Sequence, residues 1–315
     1  MEKKRFAFYW DRVGTLIIFF FMIIVASFFA PPQFLSSNNL IQIVTQSATT
    51  MLIACGEFFA ILIAGIDLSV GSILGLTGIV SGKIMAAGWH PVLAVFLGAI
   101  VVGGLLGAIN GLLVNFTKLH PFIVTLGTQS IYRGVALIIS DAKPVFGFPQ
   151  SFKAAFGGWK YGMPMPVVVA LTVAVVLWFV TSKTVLGRNI YALGGNKESA
   201  WYSGINVNLH TLLVFIISGV CAGLAGAVMN ARLGSAEVMA GTGHETFAIA
   251  AAIIGGTSFF GGKGSIPNVI VGALIIGLIN NALNMLSVPT YYQQVATGCL
   301  IIGAVTLDRL VSRSK

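Results

Sequence analysis

Residues 64–72 read AGIDLSVGS, with ILI (61–63) before them and ILGL (73–76) after. The stretch sets a carboxylate, Asp67, and two glycines, Gly65 and Gly71, into an apolar run that would otherwise continue as one helix. A soluble core avoids an unpaired acid, and a simple membrane helix rejects one. A break in the helix removes the conflict. Gly65 ends one span, and Asp67 or Ser69 accepts backbone N–H bonds left free at the start of the next. Such a break at membrane depth is tolerated where protein encloses it or water lines it. The stretch is therefore read as a tight turn at the cytoplasmic end of a pair of spans, with Gly65, Asp67, Ser69 and Gly71 as its structural motif.

Composition agrees with a membrane setting. The 315 residues are 57% hydrophobic and only 9% charged, against about 25% charged in soluble domains. A water-facing surface cannot be built from so few charges, so the chain reads as an all-α, polytopic transmembrane helix bundle. The net charge of +9 belongs to loops that orient helices, and nucleic acid is not an expected partner. Cys55, Cys221 and Cys299 all fall in apolar runs without metal-site spacing, and are expected to be buried, inert thiols. The N-terminal MEKKRFAFYWDR leads into an apolar stretch with no A-x-A-like site after it, and is read as the first retained span.

About ten apolar segments follow the roughly 20-residue requirement for a span, near 13–30, 40–64, 68–87, 91–115, 121–140, 165–182, 209–231, 246–259, 268–286 and 292–308. The eighth is short and rich in glycine. With the N-terminus cytoplasmic, inside segments hold Lys3, Lys4, Arg5, Arg12, Lys118, Lys183, Arg188, Lys197, Lys263, Arg309, Arg313 and Lys315, while outside segments hold Lys83, Lys143, Lys153, Lys160 and Arg232. The bias follows the positive-inside rule and places both termini in the cytoplasm. Residues 1–315 read as a single domain with an external loop near 141–164, carrying a short helix, and a polar cytoplasmic loop near 183–208.

GAINGLLVNF (107–116) resembles GLINNALNML (277–286), and a proline follows each, Pro121 and Pro289. The two lie five spans apart and so run in opposite directions, the pattern of an inverted repeat; chance likeness between glycine-rich helices is the alternative. Gly103, Gly107 and Gly111 form one small-residue stripe, and Gly219, Gly223 and Ala227 another, which points to close helix packing.

Asn110, Asn115, Gln129, Arg133, Asn280, Asn281 and Asn284 lie inside spans, where polar groups are costly. Asn280 and Asn284 share a helix face. Amides both donate and accept, which suits a neutral, polyhydroxylated solute, so Asn110, Gln129, Asn280 and Asn284 are candidates for a translocation pathway. Interhelical hydrogen bonding is the competing reading for each. Arg133 is left with three options: snorkelling, Asp67, or Asp141.

Other chemistries find little footing. GTSFFGGKGS (256–265) departs from the phosphate-binding loop because its Lys comes one place late and Gly follows it. HETFA (244–248) begins like a zinc motif and ends in Ala248. No catalytic constellation, metal site or cofactor site is expected. Few acids lie in or near spans, chiefly Glu57 and Asp67, which thins the supply for an ion-coupled carrier acting without an ATPase. That carrier is the second reading.

Four stretches, in this order, carry a resemblance: GIDLSVGS (65–72), PFIVTLGT…YRG (121–134), LGRNIYALGGN…SGINV (186–207) and AAIIGGTSFFGGKGSI…GALIIGLINNALNML…YYQ (251–293). Over about residues 37–308 the chain resembles the permease subunits of bacterial ABC importers for ribose, xylose, arabinose and allose. The resemblance implies a multi-pass protein of the inner membrane that passes a monosaccharide. It also implies a second permease chain, usually a homodimer, a separate cytoplasmic ATPase and a periplasmic sugar-binding protein. In this family the cytoplasmic loop carries the ATPase-coupling segment, here Gly194-Gly195-Asn196 through Ser203-Gly204-Ile205. The coupling candidates are Gly195, Asn196, Ala200, Trp201 and Gly204. Trp201 stands where relatives commonly have Arg. Exposed Trp201 and Tyr202 suit a docking surface or a helix at the membrane surface.

Overall fold

The structure is a computed structural model that describes the backbone of residues 2–160 and 162–313. The side chains of residues 1–13, 161, 300, 301, 304 and 307–315 lie outside the description. The terminal basic residues used to orient the chain, Lys3, Lys4, Arg5, Arg12, Arg309, Arg313 and Lys315, fall among them.

The chain is helical almost throughout. It forms α1 (Glu2–Phe29), α2 (Ser37–Leu62), α3 (Val70–Ala86), α4 (Pro91–Val95), α5 (Val102–Thr117) and α6 (Pro121–Ser140). After these come α7 (Gln150–Phe156), α8 (Met165–Lys183), α9 (Val185–Gly195), α10 (Lys197–Tyr202) and α11 (Val207–Leu233). The last are α12 (His244–Ile254), α13 (Ile266–Met285) and α14 (Thr290–Arg313). A two-stranded hairpin, β1 (Trp159–Lys160) with β2 (Met163–Pro164), closes the loop before α8. Local sequence explains the starts. Proline at the first helical position and a His Nδ1 cap open both α4 and α6, at His90-Pro91 and His120-Pro121. A π-helical turn, Phe96–Val101, joins α4 to α5, where Gly98 approaches the backbone of Ser81 too closely for a side chain.

Each of the ten apolar segments corresponds to a helix or a joined pair of helices. Six are long and apolar enough to cross a membrane: Ser37–Leu62, Pro91–Thr117, Pro121–Ser140, Met165–Lys183, Val207–Leu233 and Ile266–Met285. The expected third and eighth spans are shorter, with 17 residues in α3 and 11 in α12. At 1.5 Å per residue they reach about 26 and 16 Å, short of a hydrocarbon core about 30 Å thick. Both begin in the interior of the bundle.

The bundle is arranged around α2 and α11. Every residue from Ser47 to Leu62 is buried, Glu57 included. Outward faces are apolar: Ile17, Phe20, Phe21, Ile24 and Phe28 on α1, and Val175, Val176 and Phe179 on α8, are exposed. Polar groups inside and greasy ones outside is the arrangement lipid favours. The two small-residue stripes pack against each other, Gly103 on Gly219 and Gly107 on Phe215, so α5 and α11 meet backbone to backbone. Contacts recur in matching pairs. α5 packs on α11 and α13 on α2; α3 packs on α11 and α12 on α2; α3 packs on α6 and α12 on α14.

The loops gather at two ends. At one end the 63–65 turn, the 187–196 segment and the 258–265 loop touch: Gly262 N–H donates to Leu62 O at 2.9 Å, and Tyr191 hydroxyl donates to Gly264 O at 2.8 Å. At the other end Val145 and Ala236 form an antiparallel bridge. The expected short helix in the 141–164 loop is α7. Cys55 and Cys221 are buried as expected, but Cys299 is exposed. Its position on α14 points it away from the bundle, which the apolar run around it did not reveal.

Candidate functional site

The site grows from the turn after α2. Ala64, not Gly65, takes the left-handed conformation (φ 58°). Gly65 N–H returns to Ala60 O at 2.9 Å and Ala64 N–H to Ile61 O at 2.8 Å, so the last turn of α2 is closed. Gly65 instead sits close to the start of α6, where a Cβ would stand 3.1 Å from the Pro121 ring.

The chain then turns back into the bundle in a non-helical run up to Ser69. Asp67 N–H donates to Glu57 Oε1 at 3.0 Å, which sets Asp67 beside a residue more than a turn before the end of α2. Asp67 is therefore fully buried within the bundle, rather than at the end where α2 stops and where the turn was expected to lie. Its Oδ1 accepts from Ser69 N–H at 3.0 Å and Ser69 Oγ at 2.6 Å. Its Oδ2 accepts from Ser218 Oγ of α11 at 2.7 Å. The helix cap expected of Asp67 or Ser69 is not formed: Ser69 holds the N-cap position of α3 without a side-chain bond to the helix, and Asp67 instead bonds Ser69 and ties the turn to α11.

Neighbouring helices bond further polar groups of the turn. Ser69 Oγ accepts from Asn110 Nδ2 at 2.7 Å, and Asn110 Oδ1 accepts from Tyr132 hydroxyl at 3.0 Å. Thr125 Oγ1 accepts from Leu68 N–H at 3.1 Å and donates to Ile66 O at 3.0 Å. An unwound segment inside lipid-facing protein is stable only with such accounting. Asn110 is thus fully enclosed, its amide bonded within the protein.

A second unwound segment, residues 234–243, meets the first. It starts at the bridge with Val145 and runs down α3 over Gly82, Gly75 and Gly71 in turn. Ala236 lies beside Gly82, the carbonyls of Val238 and Ala240 beside Gly75, and Gly241 against Gly71. Gly71, Gly75 and Gly82 of α3 form the groove that admits it, while Gly78 of the same stripe faces Asn230 of α11. The sequence reading missed this stripe, although the i, i+4, i+7, i+11 spacing was available to find it.

At the foot of this segment α12 begins at His244, so the N-termini of α3 and α12 lie together in the middle of the bundle. Gln129 Nε2 of α6 donates to Glu245 Oε1 at 3.0 Å. One turn along α6, Arg133 Nη1 donates to the carbonyls of Val238 and Ala240, and Nη2 to Gly71 O at 3.1 Å. Arg133 therefore joins neither Asp67 nor Asp141. Asp141 pairs with Lys143 at 2.6 Å, the one ion pair among the described residues. The second oxygens of Glu57 and Glu245 are buried without a hydrogen bond.

The other amides divide. Asn281, not among the expected pathway residues, forms a reciprocal pair with Asn39 of α2, at 3.0 and 2.9 Å. Asn284 is exposed and accepts from Gln293 of α14 at 2.8 Å. Asn280 is half-buried, and neither it nor Asn284 meets Gln129 or Asn110 in one cluster. Gln129 is half-buried on a helix whose Gly127, Ser130 and Ile131 face outward.

The 183–208 region forms a separate surface. Asn196 Oδ1 caps α10 by accepting from Ser199 N–H at 2.8 Å. Ala200 is buried and anchors the short helix, while Trp201 and Tyr202 are 62% and 79% exposed with rings 4.9 Å apart. Gly204 closes α10 at φ 82° with open space where a Cβ would stand, and Gly195, the last residue of α9, has open space as well. Trp201, Tyr202 and Gly204, with Lys118, Lys197, Glu198 and Asn206, border an open cleft of about 780 Å³. The near-miss phosphate loop has a structural role: its glycines press against Gly194 and Leu62 O. Among the described residues no group of His, Cys, Asp and Glu is arranged for a metal ion.

Comparison with known proteins adds to this geometry. The family model described as branched-chain amino acid transport system / permease component matches residues 39–305. The chain is 60% identical over 314 residues to the D-allose transport system permease protein AlsC of Escherichia coli (strain K12), covering 99% of this chain and 96% of that one. It is 41% identical over 272 residues to the ribose import permease protein RbsC of Bacillus subtilis (strain 168), covering 86% and 84%. It is 35% identical over 289 residues to the galactose/methyl galactoside import permease protein MglC of Escherichia coli (strain K12), covering 86% of each. No solved structure matches the chain.

Proposed function

Since the chain belongs to the branched-chain amino acid transport system / permease component family and is the permease subunit of a sugar ABC importer, we propose that it carries an aldose of the allose or ribose type across the bacterial inner membrane by alternating access. The observation that carries this reading is the meeting of α3 and α12: two interrupted helices present their N-termini to each other inside the bundle. Interrupted helices of this kind place free backbone groups at substrate depth in transport folds.

The finer architecture is part of the proposal. The chain makes about ten passes, α3 and α12 each completed by an unwound segment, with both termini in the cytoplasm. The matched packing of α5 on α11 and α13 on α2 supports an inverted repeat in which α2 through α6 correspond to α11 through α14. The likeness of 107–116 to 277–286 falls on corresponding helices.

Two copies form the pathway as a homodimer. Gln129 lines it, with Asn280 and Asn284 contributing amides away from the central cluster. An amide lining binds hydroxyls without holding them tightly, and a passage must release what it binds. The hydrogen bonds of Asn110 support a structural role for it instead. A periplasmic sugar-binding protein delivers the sugar at the end carrying α7 and the hairpin. A separate cytoplasmic ATPase docks on the α10 surface, where Trp201 and Tyr202 offer aromatic area at low entropic cost. The chain itself performs no catalysis.

Reconstitution tests the reading. The chain with its ATPase and binding protein in liposomes is expected to accumulate radiolabelled D-allose in an ATP-dependent way. Uptake driven by an ion gradient in the chain alone would overturn it in favour of a carrier.

A further inference from the structure

Arg133 bonds to three carbonyls from two separate pieces of chain. Nη2 reaches Gly71 O in the first turn of α3, and Nη1 reaches Val238 O and Ala240 O in the 234–243 segment. The planar guanidinium fork, with donors on two nitrogens, bridges both pieces at once. The segment is otherwise tied at its ends, by the Val145–Ala236 bridge and by Gly234 N–H to Asn230 O and His244 N–H to Gly241 O, and its turns close through Ala240 N–H to Glu237 O and Thr242 N–H and Oγ1 to Met239 O. The carbonyls of Val238 and Ala240 have no other hydrogen bond described, and unpaired carbonyls are costly away from water. Gln129, one turn before Arg133, holds the first turn of α12 through Glu245. One helix, α6, thus grips both the unwound segment and the helix it leads into.

We infer that Arg133 is a positioning residue for translocation: it latches residues 234–243 into the glycine groove of α3 and so sets the place of the α12 N-terminus. This rests on the reading that the Gln129 side of α6 lines the sugar's path. The outward face of α6 at Gly127 and Gly134 has open space where a Cβ would stand, so nothing in this chain packs against α6 at those two points. Movement of α6 is then passed to α12 through Arg133 and Gln129 together.

Two measurements on the assembled importer test this. The first is hydrogen exchange of the backbone over 234–243. Arg133→Met is expected to raise exchange there at least tenfold and leave residues 47–62 of α2 unchanged. Arg133→Lys, with a single nitrogen, is expected to fall between Met and the native residue. The second is uptake of radiolabelled D-allose. Both variants are expected to lose at least tenfold in maximal rate, with half-saturation within twofold and ATP hydrolysis retained. Exchange within twofold of native in both variants overturns the latch, and so does raised exchange with undiminished uptake. If Arg133→Met does not accumulate, Arg133→Lys and Gln129→Leu decide, the latter expected to raise exchange over the first turn of α12. Failure of the native importer to take up sugar would sink the transport reading, while the exchange measurement would still judge the latch.

Discussion

Gly71 and Gly241 lie backbone to backbone: a Cβ on either residue would collide with the carbonyl of the other. The contact joins the start of α3 to the foot of the second unwound segment. It is the tightest point of the groove that Gly75 and Gly82 continue.

Replacing Gly71 with Ala should therefore destabilise the protein by about 1–3 kcal/mol, the usual range for overpacking. Gly241→Ala should cost more, since it adds strain at φ 78°. Gly134→Ala is the control, with open space at the same atom. Thermal unfolding in detergent checks all three, and equal melting temperatures for Gly71→Ala and Gly134→Ala would contradict the groove.

Asp67 and Glu57 should respond differently to loss of charge and loss of hydrogen bonds. Asp67→Asn keeps an acceptor for Ser69 N–H and should retain uptake. Asp67→Ala leaves Ser69 and Ser218 without their acceptor, at about 1–3 kcal/mol for each buried group. Glu57→Gln should fold and transport as well as the native chain, because one oxygen is enough for Asp67 N–H and the other has no partner. Loss of all uptake in Asp67→Asn or Glu57→Gln, at normal membrane levels, would return the charge to the mechanism and revive ion coupling.

The reciprocal Asn39–Asn281 pair ties α2 to α13. Replacing both with Ala should give a coupling energy of about 0.6–1.7 kcal/mol in a double-mutant cycle, as for other hydrogen bonds between membrane helices. Asn280→Ala should lack any coupling to Asn39. A cycle showing the reverse would reassign the two amides.

At the other surface, Gly204→Val forces a branched side chain into φ 82° at the close of α10. Uptake should fall at least tenfold while ATP hydrolysis continues. Trp201→Ala removes exposed area only, so melting should stay within about 0.5 kcal/mol of native while copurification with the ATPase drops. Normal uptake in Gly204→Val would count against α10 as the coupling element.

The helices, their order and the family motifs were legible in the sequence, because hydrophobic length, proline at helix starts and glycine spacing are local properties. Asp67 as a turn residue bonded to nearby Ser69 was legible for the same reason, though the helix cap expected of it is not formed. Its burial was not legible, since that depends on Glu57 and Ser218, one on the preceding helix and one 151 residues on. The same holds for the amides. Composition marks Asn110, Asn280, Asn281 and Gln129 as equally costly in lipid, and only the neighbouring helices decide which are enclosed and which are left facing outward.

Arg133 shows the division most plainly. By itself the sequence determined that a cation stood inside a span and needed a partner, because an unpaired guanidinium in hydrocarbon is too costly. It directed attention to carboxylates, since side chains are what a sequence displays. The partners are backbone carbonyls, which every residue carries and no sequence marks. They became acceptors only because two segments unwind and meet beside α6, leaving peptide groups that helix bonding would otherwise have used. The membrane requirement that every peptide group be satisfied is readable in composition; which groups satisfy one another is decided where distant pieces of chain pack together.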